Sequence, residues 1–304
     1  MRILITGGTG FIGKALCQAL LGAGHRLWVL TRRPQVVQQR IGSGVVALAD
    51  LSAWTQGMAF DAIINLAGEP IMARRWSPAR KQVLWDSRVT LTQQLIGRMA
   101  EAEVRPRVLI SGSAIGFYGD RGDQPLTESA ERGTGFGHEL CAAWEAAALD
   151  AESLGVRVCL LRTGLVVGRQ GGFLKPMLLP FRLGLGGRLG DGQQWMSWIH
   201  LADHVALTLF LLETASVNGV FNATAPQPVT NRAFTQTLAQ LLHRPALLPL
   251  PAWLLKLAAG EMAELLLASQ RVLPERALAS GFRFSHETLQ AALEDVLVPA
   301  TGPH

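Results

Sequence analysis

The chain of 304 residues has one tyrosine, Tyr118, and three cysteines, Cys17, Cys141 and Cys159. No two cysteines form a CxxC pair, and they fall in segments that read as helix, helix and strand. Buried free thiols in a reducing compartment are therefore expected, with no disulfide framework and no metal site. Charge is sparse: 17% of residues are Asp, Glu, Lys or Arg, and the net charge is +5. The basic residues are scattered, with only pairs such as Arg32-Arg33 and Arg74-Arg75. A stripe that could track a phosphate backbone is lacking, so no nucleic-acid partner is expected. The apolar stretch from Leu247 to Ala268 is broken by Pro249, Pro251, Lys256, Glu261 and Glu264, which rules it out as a membrane span. No membrane partner is expected. No signal peptide is expected either, because Met1-Arg2 runs directly into an apolar run needed for the fold, and the expected location is cytoplasmic. There is no internal repeat and no low-complexity tract.

What is present points to a globular α/β chain. Hydrophobic residues make up 49% of it, and a chain of this size buries roughly 75% of its unfolded surface. The opening stretch, Met1-Arg-Ile-Leu-Ile-Thr-Gly-Gly-Thr-Gly-Phe-Ile-Gly13, reads as strand, phosphate loop and helix. Ile3 to Ile5 suits a buried parallel strand, Gly7 and Gly10 allow a tight turn near a ligand, and Gly13 lets the following helix pack closely. A dinucleotide pyrophosphate would sit on the helix N-terminus, with Gly7, Thr9, Gly10, Phe11, Ile12 and Gly13 as its contacts.

The second strand, Arg26 to Leu30, ends at Thr31-Arg32-Arg33-Pro34. An acidic residue roughly 20 positions after the glycine motif would receive the ribose hydroxyls of NAD. Thr31 and Arg32 stand there instead, with no nearby carboxylate to repel a 2′-phosphate, so NADP is the expected cofactor. A solvated arginine pair is the plainer alternative. Val45 to Leu48 reads as a third strand, with Asp50 either beside an adenine or in a turn. Asp61 to Gly68 is a fourth, whose small Ala67 and Gly68 let a ligand approach the backbone next to Leu66. Pro78 to Ala100 has the apolar spacing of one long helix. Arg107 to Ser113 is a fifth strand, Phe136 to Leu154 a helix, and Val156 to Leu161 a sixth strand ending at Arg162-Thr-Gly164.

This alternation predicts a doubly wound parallel sheet of the Rossmann type with a smaller C-terminal α/β substrate lobe. The core is expected over 1–170, with 198–225 returning to it, and the lobe over 171–197 and 226–304. Gly184 to Gly192 reads as a mobile cover or an ordinary surface loop. Trp195 to His200 is expected to return to the sheet, Asp203 to cap a helix over Val205 to Leu212, and Gly219 to Ala223 to be the last core strand. Thr230 to Leu242 reads as a helix, and Ser285 as the cap of the closing one.

Four groups of residues resemble the extended short-chain dehydrogenase/reductases: Thr6 to Gly13, Asn65-Leu-Ala-Gly68, Ser111-Gly-Ser113 with Tyr118-Gly119, and Arg162. More narrowly, Trp144-Glu145, the run Leu178 to Gly187, Ser197-Trp-Ile-His200 and Gly281-Phe-Arg-Phe284 resemble the NAD-dependent epimerase/dehydratase-like subgroup known as epimerase family proteins, described as NADP-binding nucleoside-diphosphate-sugar epimerases. The resemblance implies an NADP site over Gly7 to Gly13, Thr31, Arg32, Leu66, Ala67, Gly68, Arg88 and the backbone near Val166. It also implies a Tyr with a Lys four residues later as the proton-transfer pair. Here the residue four after Tyr118 is Gly122, and Phe136 and Leu140 stand where the family places the pair. Arg88 replaces a usual Asn and is expected to point into the cleft.

Ser113, with Ser111 nearby, is what remains of the catalytic set, and Tyr118, His138, Glu139 and His200 are substitute acids. Two functions follow. One is an NADP-dependent oxidoreductase or sugar-nucleotide epimerase-like enzyme with non-standard catalytic residues, acting on a small-molecule substrate such as a sugar nucleotide or carbonyl compound. The other is a catalytically weak or inactive NADP(H)-binding sensor. Either could be a monomer or homodimer.

Overall fold

A computed structural model describes residues 1–55 and 57–297. Seven strands form the main sheet: β1 (Arg2–Thr6), β2 (Arg26–Leu30), β3 (Val45–Leu48), β4 (Ala62–Asn65), β5 (Val108–Ala114), β6 (Arg157–Thr163) and β7 (Gly219–Ala223). Their order is β7-β6-β5-β4-β1-β2-β3, and the pairs joining β1 to β5 are parallel. The expected doubly wound Rossmann arrangement is what the chain adopts. Between β3 and β4 the chain leaves one edge and re-enters beside β1. That reversal opens a crevice at the carboxyl ends of β1 and β4. Ile3, Leu4, Ile5, Ile63, Ile64, Leu109 and Ile110 are wholly buried, as strands covered on both faces require.

The first helix, α1 (Phe11–Gly22), buries Gly13, Leu16, Cys17 and Leu20 along one stripe. The long helix expected over Pro78 to Ala100 is present but not uniform. It runs as Pro78–Trp85, a π-helical turn over Asp86–Thr90, and Leu91–Glu101. The apolar spacing explains the wide turn. Leu84 and Val89 are both buried yet five residues apart, and an i to i+5 turn keeps both facing the sheet. The helix Phe136–Leu149 continues as a 3₁₀ segment to Leu154 and closes at left-handed Gly155.

The chain divides into two compact units. The first holds residues 1–114, 139–162 and 205–221, the second 115–138, 163–204 and the chain from 222 onward. Residues 298–304 of the expected lobe lie outside the described residues. The second unit has its own core, built on Trp198, Leu174, Phe234, Leu238 and Leu293. Trp195 to His200 does not return to the seven-stranded sheet. Trp198–His200 pairs in parallel with Leu165, Val166 and Val167, and Trp195–Met196 pairs with Val229–Thr230.

Two capping expectations are overturned. Asp203 lies inside the first turn of the helix Leu201–Glu213, and its carboxylate instead accepts the amides of Ser285 and His286 at 2.8 and 2.9 Å. The last helix, Leu289–Leu297, takes its side-chain cap from Thr288, whose Oγ1 accepts from the Ala291 amide, and not from Ser285. The segment 184–192 is no free cover. Leu250 N donates to the Arg188 carbonyl at 2.8 Å, Gly190 N to the Leu250 carbonyl at 2.9 Å, and a Cβ on Gly187 would stand 1.8 Å from the Leu248 oxygen. Gly187 serves this close backbone approach, and Gly186 packs against the Phe181 ring. Asp50 takes the turn role, accepting the Ser52 amide at 2.8 Å.

All three cysteines are free and buried, and burial pushes the Cys17 thiol up to about 12 and Cys141 up to about 11. Native protein is expected to leave all three unlabelled by a thiol reagent near neutral pH, and to release them together on unfolding. His204, 1% exposed, is pushed down by burial from 6.5 to about 4. It is neutral in the native state, whereas the unfolded chain takes up its proton below pH 6.5. Its contribution is thus complete above pH 6.5 and is lost as pH falls from 6.5 toward 4, by on the order of 3 kcal/mol. Denaturant midpoints measured across that window should show the slope, and His204→Gln should flatten it.

Candidate functional site

The phosphate-loop geometry follows from two close approaches. Gly7 has φ +71, and a Cβ there would lie 2.5 Å from the carbonyl oxygen of Leu66, just beyond β4. A Cβ on Gly13 would lie 2.2 Å from the Gly7 oxygen, so α1 begins directly against the loop. Gly10 is the N-cap residue and offers no side-chain cap, while its own amide closes a turn onto Gly7 O at 2.9 Å. The first-turn amides of Phe11, Ile12 and Gly13 thus face outward from the positive end of a helix of 12 residues. Thr9, Phe11 and Ile12 are half-buried beside them. This bare, positive cradle suits a phosphate group.

At the end of β2, Thr31 is half-buried and its Oγ1 accepts the Arg33 amide at 3.2 Å. Arg32 projects outward, but the expectation of no carboxylate nearby is overturned. Arg32 Nη2 donates to Glu69 Oε1 at 2.7 Å, and Arg80 Nη1 stands 3.6 Å from Oε2. Glu69 follows β4, and the sheet order brings it close to a residue 37 positions earlier. The Arg32 hydrogen bond, with Arg80 beside it, holds the Glu69 carboxyl below the usual range.

Arg88 sits on the π turn. Its guanidinium lies over the Trp144 ring at 5.4 Å, donates to Glu69 O at 3.0 Å, and comes within 2.8 Å of where a Cβ on Gly68 would be. Burial lowers its pKa. Leu66 and Ala67 are half-buried and Gly68 is exposed.

Beneath these residues runs a buried network that links three strands. Thr6 Oγ1 donates to Asn65 Oδ1 at 2.6 Å and accepts the Ala67 amide at 3.0 Å. Asn65 Nδ2 donates to Thr92 Oγ1 at 2.8 Å and to Ser111 Oγ at 3.2 Å. Thr92 Oγ1 also accepts Trp144 Nε1 at 3.1 Å and donates to Arg88 O at 2.6 Å. The Thr92 hydroxyl, one donor and two acceptor lone pairs, is fully used. The Trp144 ring packs against Gly112, where a Cβ would be 3.0 Å from it.

Ser113, at the end of β5, is 4% exposed and donates to Glu145 Oε1 at 2.6 Å. Glu145 is held in turn by Arg162, Nε to Oε1 and Nη2 to Oε2, each at 2.8 Å. All three side chains are buried. Ser113, Arg162 and the Trp144-Glu145 motif are all visible in the sequence, but the bonds that make Glu145 their common partner are not. The available signal was a lone carboxylate among Leu140, Cys141, Ala142, Ala143, Trp144 and Ala146, an otherwise apolar stretch of the helix.

The remaining candidates belong to the second unit or the surface. Tyr118 is wholly buried and its hydroxyl donates to Asn222 Oδ1 at 2.7 Å, within a cluster of Ile115, Leu126 and Val272. His138 Nδ1 meets the Phe117 carbonyl at 2.9 Å. Val166 is a buried strand residue paired with Ile199. His200 Nε2 faces Asp295 at 3.3 Å, and its ring stacks 3.8 Å from His286. Glu139 is exposed.

Residues 3–224 match the model of the NAD dependent epimerase/dehydratase family, and the chain belongs to that family; residues 250–296 match a domain of unknown function, DUF1731. Among its relatives, epimerase family protein YfhF of Bacillus subtilis is 36% identical over 299 residues, 98% of each chain. Human epimerase family protein SDR39U1, crystallised with NADPH, superposes with a TM-score of 0.89 at 37% identity, covering 97% of this chain and 99% of that one. A nucleoside-diphosphate sugar epimerase from Corynebacterium glutamicum gives 0.76 at 32% identity, covering 98% of this chain and 58% of that one.

Glu145→Ala should cost about 3–5 kcal/mol in denaturant unfolding, because it leaves Arg162 buried beside no carboxylate. The double variant Glu145→Leu with Arg162→Met should recover at least half of that loss.

Proposed function

We propose that this chain is an NADP(H)-dependent oxidoreductase or epimerase-like enzyme that works without the Tyr and Lys pair of its larger family. The observation that carries the cofactor reading is the uncapped N-terminus of α1 against Gly7, Gly10 and Gly13. The pyrophosphate would rest on the amides of Phe11, Ile12 and Gly13 beside Thr9, the nucleotide would follow Leu66, Ala67 and Gly68, and Val166 would line the nicotinamide end. Arg88, held by Glu69 O, would serve the ribose or a phosphate. Arg32 with Thr31 would meet the 2′-phosphate, and the pairing of Glu69 with two arginines leaves that corner net positive. The NADPH in the human SDR39U1 structure supports the same choice.

When bound, NADP(H) would supply hydride transfer at its nicotinamide ring. Ser113 is the protein group we assign to the substrate oxygen. Its proton points to Glu145 and the Cys141 thiol lies beside it, so its remaining acceptor capacity suits a substrate hydroxyl better than a carbonyl, which favours oxidation of an alcohol such as a sugar-nucleotide hydroxyl. The chain 171–197 with 226 onward would form the substrate lobe of a cytoplasmic monomer or homodimer. A second reading, an NADP(H) sensor with little turnover, draws support from the same bond: the Ser113 hydroxyl already has a partner, and Phe136 and Leu140 carry no proton.

Calorimetric titration tests the cofactor. NADPH should bind more tightly than NADH, and Arg32→Ala should weaken NADPH by about tenfold or more while leaving NADH within about twofold. Absence of NADPH binding, or an equal effect on both, overturns the assignment. A screen of alcohols, carbonyl compounds and sugar nucleotides with NADP(H) then separates the readings, since tight binding without turnover selects the sensor.

A further inference from the structure

The second unit exposes large apolar side chains where a folded surface ordinarily buries them. The helix Ala252–Ala259 buries Leu255 but leaves Trp253 66%, Leu257 67% and also Leu254 exposed. The preceding link presents Leu247 at 80%. Across from it, Leu179, Leu183 and Leu185 stand out from the helix Lys175–Arg182 and the turn after it. The two segments form one surface. Arg244 Nε donates to the Arg182 carbonyl at 3.0 Å, Leu250 N to the Arg188 carbonyl at 2.8 Å, and Gly190 N to the Leu250 carbonyl at 2.9 Å. The ladder that pins the glycine-rich segment therefore also brings the two leucine-bearing segments together. Apart from Leu278, the exposed large apolar side chains outside these segments, such as Val46, Val83 and Val104, are dispersed through the first unit.

The charge around this surface is predominantly positive. Lys175, Arg182, Arg188, Arg244 and Lys256 are all exposed; Asp191 is the one carboxylate over 175–192 and 243–257, and the exposed Glu261 and Glu264 follow the helix. Projecting Leu and Trp side chains flanked by Lys and Arg are the composition by which a surface helix enters the headgroup layer of an anionic bilayer. A second copy of this chain would set the same five cations against each other, so charge complementarity argues against self-association. The side chains project rather than line a groove, which suits a fluid lipid surface better than a folded protein partner.

We infer that residues 179–188 and 247–257 form a docking surface for an anionic lipid bilayer, which the chain meets peripherally. No helix among the described residues is long and apolar enough to cross a membrane. The expectation of no membrane partner rested on the absence of a span, whereas this surface concerns attachment and is independent of the cofactor reading.

The test is co-flotation of the full chain with vesicles of phosphatidylcholine alone or with about one third phosphatidylglycerol. Binding to the anionic vesicles is expected, weakening as salt rises. Trp253→Ser with Leu257→Ser should reduce it more than about tenfold, and each of Arg188→Glu and Lys256→Glu by about fivefold or more. Val104→Ser, an exposed apolar residue outside the patch, should leave it unchanged. All variants should keep the wild-type melting temperature, since every position is exposed; the charge reversals keep the test intact if the apolar pair does not fold. Equal recovery with neutral and anionic vesicles, or full binding by the variants, overturns the inference. So does a self-associated species in sedimentation that Leu257→Ser dissociates, or capture of an acidic protein by a chain that ignores vesicles.

Discussion

The buried ion pair between Glu145 and Arg162 is the constraint on which the first unit depends. A charge taken out of water is tolerable only with a partner of good geometry, and the two-pronged contact at 2.8 Å supplies it. Meeting that requirement fixes the rotation of the helix Phe136–Leu149 relative to β6. The same rotation lays Trp144 on Gly112 and brings its indole N–H to Thr92, so the helix, the π turn and the ends of β4 and β5 have one consistent arrangement. Ser113 is the pair's third member, and its hydroxyl orientation is a consequence of where the carboxylate had to go.

Around this pair the crevice is built from hydrogen bonds that leave little unassigned. Thr6, Asn65, Thr92 and Ser111 are joined across β1, β4 and β5, and Gly7, Gly10 and Gly13 of the loop sit against backbone. A floor fixed in this way presents a rigid edge to a ligand, which is the arrangement that minimises ordering cost on binding. The arginines at the rim are arranged differently. Arg32 and Arg80 share Glu69, and Arg88 is tethered by the carbonyl of the same residue. One loop after β4 thus organises three cations.

The second unit solves a different problem. It encloses its own core around Trp198 and Phe234, yet leaves leucines and Trp253 outside along the ladder between 182–190 and 244–250. Glycines that read as flexibility in sequence serve there as sites of close packing, Gly187 against the Leu248 backbone and Gly186 against the Phe181 ring.

Much of the fold was legible in the sequence because periodicity and glycine spacing are local. The strands, α1, the phosphate loop and the doubly wound order follow from patterns over a few to a few tens of residues. Even the π turn had a trace in the five-residue step from Leu84 to Val89. What the sequence could not disclose were pairings between distant residues. Glu69 beside Arg32, Glu145 between Ser113 and Arg162, and Asp203 on the Ser285 and His286 amides each join positions that no local pattern connects. Trp198–His200 reads as a strand wherever it pairs, so only the packed chain could assign it to Leu165–Val167. The sequence by itself determined most of the strand and helix segments and the glycine spacing of the first loop. The tertiary structure decided which charge meets which, because a buried charge is settled by the nearest partner in space and not in the chain.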